Sequence, residues 1–418
     1  MTDDRITSIV ANNLCTGCGL CAGAFPTLIR MVEDAEHGRR PVVEQTAEGH
    51  RAAQEAAGYC AGASTDWTDL PLQDDVDQEW GPVLATWEGW ASDDEMRHRG
   101  SSGGAVTALA AFAIENGTAS GVAHITARKD DPRLNKAVIS RDRDGLLRAA
   151  GSRYAQASPA ETVAAIAENA EQVVFVGKPC DVASVRKFAN ATPEIDARIP
   201  LTIAIFCAGA PNLNATDKLL DRLGVPKTAR LTDVRYRGNG WPGLMQADYL
   251  DEDGTAKTSE GISYGAGWGG ILQSSRRWRC RVCSDHTGAF ADISVGDPWH
   301  NPPKGNTDAG LSLIVARTAR GRAFVEQAIR DGAIVAEPRD RDVIARAQPN
   351  LLATHGAVWG RRLALRAVGL PAPKDLGQNL FQLWRALPPK EKVQSVLGTW
   401  KRVLRERLWR KISIRAAQ

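Results

Sequence analysis

What this 418-residue chain lacks narrows it first. No apolar run reaches the roughly 18 residues that a membrane-spanning helix needs, and Met1 to Asn13 holds acids where an export signal would hold a basic stretch and an apolar core. A soluble, cytoplasmic protein is expected. An excess of one charge is also missing: 52 Lys and Arg against 49 Asp and Glu leave +3. That is too little to mark the surface for nucleic acid, so no nucleic-acid partner is expected. With 43% hydrophobic and 24% charged residues, disorder, collagen and coiled coil are excluded, and the length suits two to four compact units. There is no Walker or Rossmann glycine fingerprint, no Gly-x-Ser-x-Gly elbow, no His-Glu-x-x-His and no internal repeat, which weakens hydrolase and common nucleotide-fold readings.

What is present is cysteine. Eight thiols in a chain that stays in a reducing compartment point to metal or redox chemistry rather than disulfides. Cys15, Cys18 and Cys21 are each separated by two residues, a spacing that turns three thiolates toward one point and suits three corners of a 4Fe-4S cube. Gly17 and Gly19 let that loop bend. Bacterial ferredoxins continue with a Cys-Pro where this chain has Phe25-Pro26, so the fourth ligand is sought at the next thiol, Cys60. A buried cysteine without a role is the alternative there. Cys180 and Cys207 each follow an apolar run, Val173 to Val176 and Leu201 to Phe206, just past the C-terminal ends of expected parallel strands, where open α/β sheets place ligands. Cys280 and Cys283 form a Cys-x-x-Cys pair. Spacing alone leaves these four open to a second cluster, a redox dithiol or half a zinc site.

Gly100-Ser101-Ser102-Gly103-Gly104 opens an apolar helical pattern, Ala105 to Ile114, and its amides could cradle a pyrophosphate, although Ser and Gly are also ordinary capping residues. Two glycine-rich stretches, Tyr236 to Gly243 and Gly265 to Gly270, set an aromatic plane beside flexible backbone that could lie against a flat ring. Asp292 and Asp297 flank a short strand running into a turn.

Organisation follows composition. Residues 1–62 read as an N-terminal cluster segment, 63–81 as an acidic solvated linker, 82–160 and 161–335 as the two parts of a catalytic domain, and 336–418 as a basic helical tail. Strand-like runs alternate with helical patterns between 82 and 335, which predicts an α/β (α+β) fold with a mixed, largely parallel sheet core. From Lys390 to Gln418 there are nine Lys or Arg and two Glu, with Val393, Val396, Leu397, Trp400, Leu404, Leu408 and Ile412 at helical spacing. Such a helix could lie on an anionic membrane surface, receive an acidic electron carrier, or pack on its own domain.

Taken together, the Cys15 to Cys21 run, Arg99 to Gly104, Gly151-Ser152-Arg153-Tyr154, Gly177-Lys178-Pro179-Cys180, Phe206-Cys207, Arg237 to Gly243, Cys280-x-x-Cys283 and Asp292 to Asp297 resemble the beta-subunit family of the deazaflavin-dependent (coenzyme F420) hydrogenases and dehydrogenases. That family includes 7-hydroxymethyl chlorophyll a reductase and the ferredoxin-type divinyl chlorophyllide reductase. The resemblance covers about residues 14 to 300. It implies an oxidoreductase with FAD and two 4Fe-4S clusters, one on Cys180, Cys207, Cys280 and Cys283 and one on the N-terminal cysteines. Phe25 departs from relatives with a complete ferredoxin-type run. It implies Ser101, Ser102, Gly103 and Gly104 as FAD contacts. Lys178, Arg153, Asn239 and Trp241 are the further candidates for the flavin, and Asp297 or His98 for proton delivery. The expected activity passes single electrons from a ferredoxin-like donor or a partner subunit through the clusters to FAD, which reduces a small-molecule acceptor. Hydride exchange with coenzyme F420 in a larger complex is one alternative, and a non-catalytic zinc scaffold is another. Assembly into a homo-oligomer is left open.

Overall fold

The apolar runs that read as buried strands form the middle of one sheet. The structure is a computed structural model that describes residues 5–34, 36–70, 76–77, 79–169 and 171–414. Eight strands make the main sheet: β1 (Ala85–Ala91), β2 (Gly121–Ala127), β3 (Asn135–Ser140), β4 (Val173–Gly177), β5 (Thr202–Ile205), β6 (Ile293–Gly296), β7 (Ser312–Ala316) and β8 (Ile334–Arg339). Their order is β8-β1-β7-β6-β5-β4-β2-β3. The mixed sheet is thus present, with its parallel part at the centre. β2, β4, β5 and β6 run parallel, and both flanks pair antiparallel.

Parallel strands must be covered on both faces, which is why they read as unbroken apolar runs rather than alternating ones. Val174, Ile203, Ile293 and Ile314 are fully buried, and each such side chain contributes roughly 1.5–3 kcal/mol through burial. Helix Ala105–Glu115 packs its alanine-rich face with Val174 and Ile203 in one core, and helix Pro179–Ala191 joins Phe175 and Ala204 in a second. The sheet takes strands from both expected halves, 82–160 and 161–335, so these are parts of a single layered unit. An appended three-stranded meander, Arg230–Arg235, Gln246–Leu250 and Ala256–Thr258, packs with helix Leu213–Arg222 around Tyr236, Met245 and Trp268.

The N-terminal segment has its own small core of Ile6, Ala22, Ile29, Val43 and Ala53. The acidic stretch 63–81 departs from a solvated linker over its described residues: Trp67, Leu70 and Trp80 are buried, and Ser64–Asp66 pairs in parallel with Lys374–Leu376. Its acids are interleaved with large apolar side chains, and those decide its place. Residues 71–75 and 78 of this stretch lie outside the described residues.

The tail folds into helices that close over the Cys280 loop, where Trp278 and Val282 meet Leu365 and Val403. Its last helix, Pro389–Glu406, packs on its own domain, but through a different face from the one its apolar spacing suggests. Ser395, Thr399 and Val403 are buried, whereas Val393, Leu397 and Leu404 are more than half exposed. The reason is close approach. A Cβ on Gly360 of helix Val358–Ala367 would stand 2.2 Å from Ser395 Oγ, so the two helices meet through small residues.

Candidate functional site

The first three cysteines converge because their loop contains two left-handed glycines, Gly17 at φ +72° and Gly19 at φ +87°. At Gly17 a Cβ would fall 2.9 Å from the Arg39 carbonyl oxygen, and at Gly19 it would fall 2.7 Å from Ser158 Cβ, so side chains are excluded there by space as well as by backbone. Cys60 arrives after the short turn Ala57–Tyr59. Cys15, Cys18, Cys21 and Cys60 line one small cavity with Ile6, Val10 and Leu20. Burial pushes the Cys60 thiol up to about 12, and the charges of Cys18 and Cys15 add to the rise. Cys21 is likewise raised well above its ordinary value, by burial and then by Cys18, Cys15 and Cys60. Four mutually repelling thiolates in an apolar wall are stable only against a strong positive charge, and bound metal supplies one.

The second quartet comes from three places. Cys180 lies in the first turn of helix Pro179–Ala191, Cys207 follows β5, and Cys280 and Cys283 flank the end of the short turn Trp278–Arg281. Burial lifts Cys207 to about 12, with Cys280 and Cys283 adding and Lys178 opposing. Cys180 feels the charges of both Cys207 and Cys283. Backbone amides attend the sulfurs: Ala210 N–H donates to Cys280 Sγ at 3.5 Å, and Gly17 N–H donates to Cys15 Sγ at 3.3 Å.

The two quartets share a wall. One turn beyond Cys180, Ser184 Oγ accepts from the Cys18 thiol at 3.6 Å and from Ala61 N–H at 3.1 Å. Arg279, next to Cys280, donates to the carbonyls of Gly62 at 2.9 Å and Ala61 at 2.8 Å. Neither residue carries a signal in the sequence. Among the described residues no three or more His, Cys, Asp or Glu side chains converge closely enough to grip a single ion. A tetrahedral zinc site needs its sulfurs about 2.3 Å from one point, whereas a cluster takes one thiolate at each corner iron. Four thiols around one cavity are the donor set that a 4Fe-4S cluster takes.

Above the second quartet, at the C-terminal ends of the parallel strands, opens a cleft of about 280 Å³. This is where open α/β sheets bind ligands. Ser101, Ser102 and Gly104 line it from the loop before helix Ala105–Glu115, and Lys178, Cys207 and Asp297 line it from the ends of β4, β5 and β6. Ser101 Oγ is buried without a hydrogen-bond partner, an acceptor and donor left for a ligand. Ser102 instead meets Ser312 at 2.8 Å, and Gly103 N–H donates to Ser312 Oγ, so these two anchor the loop. Aromatic rings gather at the cleft: Tyr154 lies 4.7 Å from Trp268, and Tyr264 stacks on Trp299 at 5.3 Å with 17° between planes. These rings and an orphaned hydroxyl at a helix start fit a flat ring system carrying phosphates.

Other expected residues are placed differently. Arg153 lines the cleft, but its guanidinium donates to Asn135 and to the carbonyls of Val234 and Pro132, which spends it on the fold. Asn239 and Trp241 do not line the cleft. Asn239 sits at φ +56° in a tight turn, and Trp241 Nε1 donates to Asp297 at 2.9 Å. Asp297 does reach the cleft, with both oxygens held by Arg237 at 2.8 and 2.6 Å. Burial works against the Arg237 charge, but Asp297 outweighs it and holds the guanidinium well above its usual value. The same guanidinium donates to the carbonyls of Ser101 and Pro242 and so ties the serine loop to β6. This geometry makes Asp297 an anchor. His98 is exposed and stands outside the cleft lining, so it is not positioned to deliver a proton there. The histidine that lines the cleft is His124, which lies on β2 inside an apolar run and carries no signal in the sequence. Its Nε2 meets Ser140 Oγ at 2.7 Å, and burial lowers it to about 4, so it is neutral. Lys178 pairs with Asp181 at 2.6 Å between the cleft and the second quartet.

Two family models of the coenzyme F420 hydrogenase/dehydrogenase beta subunit match the chain, the one for its N-terminal part over residues 86–165 and the one for its C-terminal part over residues 170–342. The chain is 26% identical over 254 residues to the beta subunit of the coenzyme F420 hydrogenase of Methanococcus voltae, covering 58% of this chain and 80% of that one. It is 22% identical over 337 residues to a subunit of the F(420)H(2) dehydrogenase of Methanosarcina mazei, covering 80% and 88%. With an uncharacterized protein of Methanocaldococcus jannaschii it shares 24% identity over 242 residues, and it spans 60% of that protein's length. Among solved structures it is similar to a chain of the F420-reducing NiFe hydrogenase complex from Methanosarcina barkeri, with a TM-score of 0.51 and 21% identity, covering 69% of this chain and 95% of that one. At that identity the likeness concerns the fold.

Proposed function

The chain belongs to the coenzyme F420 hydrogenase/dehydrogenase beta-subunit family, and on that premise we propose that it is an iron–sulfur flavoprotein oxidoreductase that exchanges hydride with a deazaflavin coenzyme as part of a larger electron-transfer assembly. The observation that carries the reading is Cys207, which belongs to the second quartet and also lines the cleft. Cys15, Cys18, Cys21 and Cys60 would hold one 4Fe-4S cluster, and Cys180, Cys207, Cys280 and Cys283 another. The loop Gly100 to Gly104 and the rings of Tyr154, Tyr264, Trp268 and Trp299 would hold FAD. Bound there, FAD would supply the change between one-electron and two-electron chemistry that hydride exchange requires.

The chain's own part is positioning and electrostatics. Arg237 and Asp297 lock the serine loop against the sheet, Ser101 offers its free hydroxyl, and the aromatic rings exclude water from one side of the cleft. Lys178 stands between the cleft and the second quartet with its ammonium held by Asp181, so an ion pair rather than a free positive charge lies there. The alternative acceptors considered from the sequence, chlorophyll-type pigments among them, have less support than the deazaflavin, because the relatives with assigned roles are F420 proteins.

Anaerobic stopped-flow mixing of the reduced protein with coenzyme F420, and separately with a tetrapyrrole acceptor, tests the reading. Rapid reoxidation by the deazaflavin alone is the expected result. Reoxidation by the tetrapyrrole alone overturns the substrate, and a colourless protein holding zinc and no flavin overturns the whole reading.

A further inference from the structure

A second cleft, of about 750 Å³, lies between the N-terminal segment and the end of the tail. Eight Arg or Lys side chains line it against two carboxylates, Glu36 and Glu406, and Glu406 is already paired with Arg405 at 2.8 Å. The floor is made by Arg40, Arg276 and Arg277. Arg40 and Arg277 are 3% and 8% exposed, and the Nε of each is buried without a hydrogen-bond partner. The floor lies against both cysteine quartets: Arg40 feels the charges of Cys15 and Cys280, and Arg276 feels those of Cys280 and Cys207. Arg277 also donates to the carbonyl of Thr16, inside the first cysteine loop. This cleft is therefore a place where solvent comes close to both quartets at once.

The rim differs from the floor. Arg405, Arg407, Arg410 and Lys411 are exposed, and among the described residues only Arg405 of these four has an ion-pair partner. The thiolate quartets face the floor and can balance its charge, whereas among the described residues no carboxylate pairs with Arg407, Arg410 or Lys411 on the rim. Leu404 and Trp409 stand exposed on the same stretch of chain, at 67% and 50%. A tryptophan and arginines around an uncompensated positive rim have the composition of a protein-docking surface.

We propose that this basic cleft is the docking surface for an acidic one-electron carrier protein, which would exchange electrons across Arg40, Arg276 and Arg277 with the clusters that the two cysteine quartets would hold. The inference rests on the proposed function and adds its partner surface. Each encounter moves one electron, oxidising one carrier and reducing the protein. Two encounters and two protons from solvent account for one deazaflavin reduced, and the reverse balances equally. The opposite charges would steer the encounter and make its rate fall with salt.

The test uses the full-length, cluster-loaded protein and the charge-reversed variant Arg407→Glu/Arg410→Glu/Lys411→Glu. Reduction is followed with a reduced two-cluster bacterial ferredoxin as probe, and binding of the same ferredoxin is followed by fluorescence anisotropy. Expected are a second-order rate and an affinity each lowered about tenfold or more at low ionic strength, with the salt dependence flattened. Hydride exchange of the photoreduced variant with coenzyme F420 should match that of the wild type. A ferredoxin rate insensitive to both salt and charge reversal, with deazaflavin exchange intact, overturns the docking surface alone. Binding of phosphatidylglycerol vesicles that the variant loses, with unchanged ferredoxin kinetics, assigns the rim to a membrane and overturns it as well. A wild-type protein that neither holds iron nor exchanges with the deazaflavin overturns the proposed function together with its partner.

Discussion

Replacing Arg237 by Ala should both loosen the fold and empty the cleft of flavin. The guanidinium is nearly buried, at 3% exposure, and Asp297 is 18% exposed. Among the described residues, removal leaves the carboxylate with only the Trp241 donor and strips the carbonyls of Ser101 and Pro242 of their Arg237 partner. Breaking a buried pair costs about 3–5 kcal/mol, and the partial exposure of Asp297 places the cost near the lower end, about 3 kcal/mol. Unfolding entropy of roughly 2.1 cal/mol/K per residue over 418 residues gives about 0.9 kcal/mol/K, so the melting temperature should fall by about 3 °C. Calorimetry on flavin-free protein isolates this effect, and flavin absorbance of the holoprotein measures the loss of cofactor. Arg237→Met combined with Asp297→Leu removes both charges and should recover only the part of the loss due to the unpaired carboxylate, because the Ser101 and Pro242 carbonyls and the Trp241 N–H stay without partners, and it should leave the cleft without flavin. A single variant that melts within about 1 °C of wild type and keeps its flavin refutes the role given to this pair.

Cys60→Ser should remove the N-terminal cluster and leave the other, roughly halving iron per chain, with flavin content kept; iron, sulfide and flavin analysis after anaerobic purification checks it. Gly310→Ala places a Cβ 1.6 Å from the Ser102 carbonyl oxygen, so the serine loop must shift, and flavin should be lost while iron stays, as read by absorbance and iron assay. Stability should fall below neutral pH. His124 and His355 are buried and neutral, each lowered to about 4 by burial. Their contribution is complete above the unfolded value of about 6.5 and is lost as pH falls toward 4, by about 2 kcal/mol each at pH 5. Urea titrations at pH 7.5 and 5 should show that loss, and His124→Gln should reduce it; a flat profile counts against neutral buried rings.

The parts of the site legible in the sequence were those written in local spacing. Cys15, Cys18 and Cys21 announce themselves by separation, and the glycines between them by the turn they permit. The strand-end cysteines follow from apolar runs that only a buried parallel sheet explains. The placement of Cys60 beside the first three came from elimination, and the structure brings it to the same cavity. What local pattern could not carry were contacts made across the chain. Arg279 meets Ala61 from 218 positions away, and Arg237 meets Asp297 from 60. A histidine within an apolar strand, such as His124, looks like any buried residue until the cleft beside it is seen. Periodicity also misjudged the last helix. It found an apolar stripe but not the neighbour, and the contact is instead made by Ser395 and Thr399, whose hydroxyls donate to the carbonyls of Lys392 and Ser395 and so can be buried cheaply against Gly360.

Metal, sulfide and flavin counts on anaerobically prepared wild-type protein test the central claim most directly. Two cysteine quartets beside a flavin cleft require about eight irons, about eight sulfides and one flavin per polypeptide. Four irons or fewer, or zinc in place of iron, would contradict it.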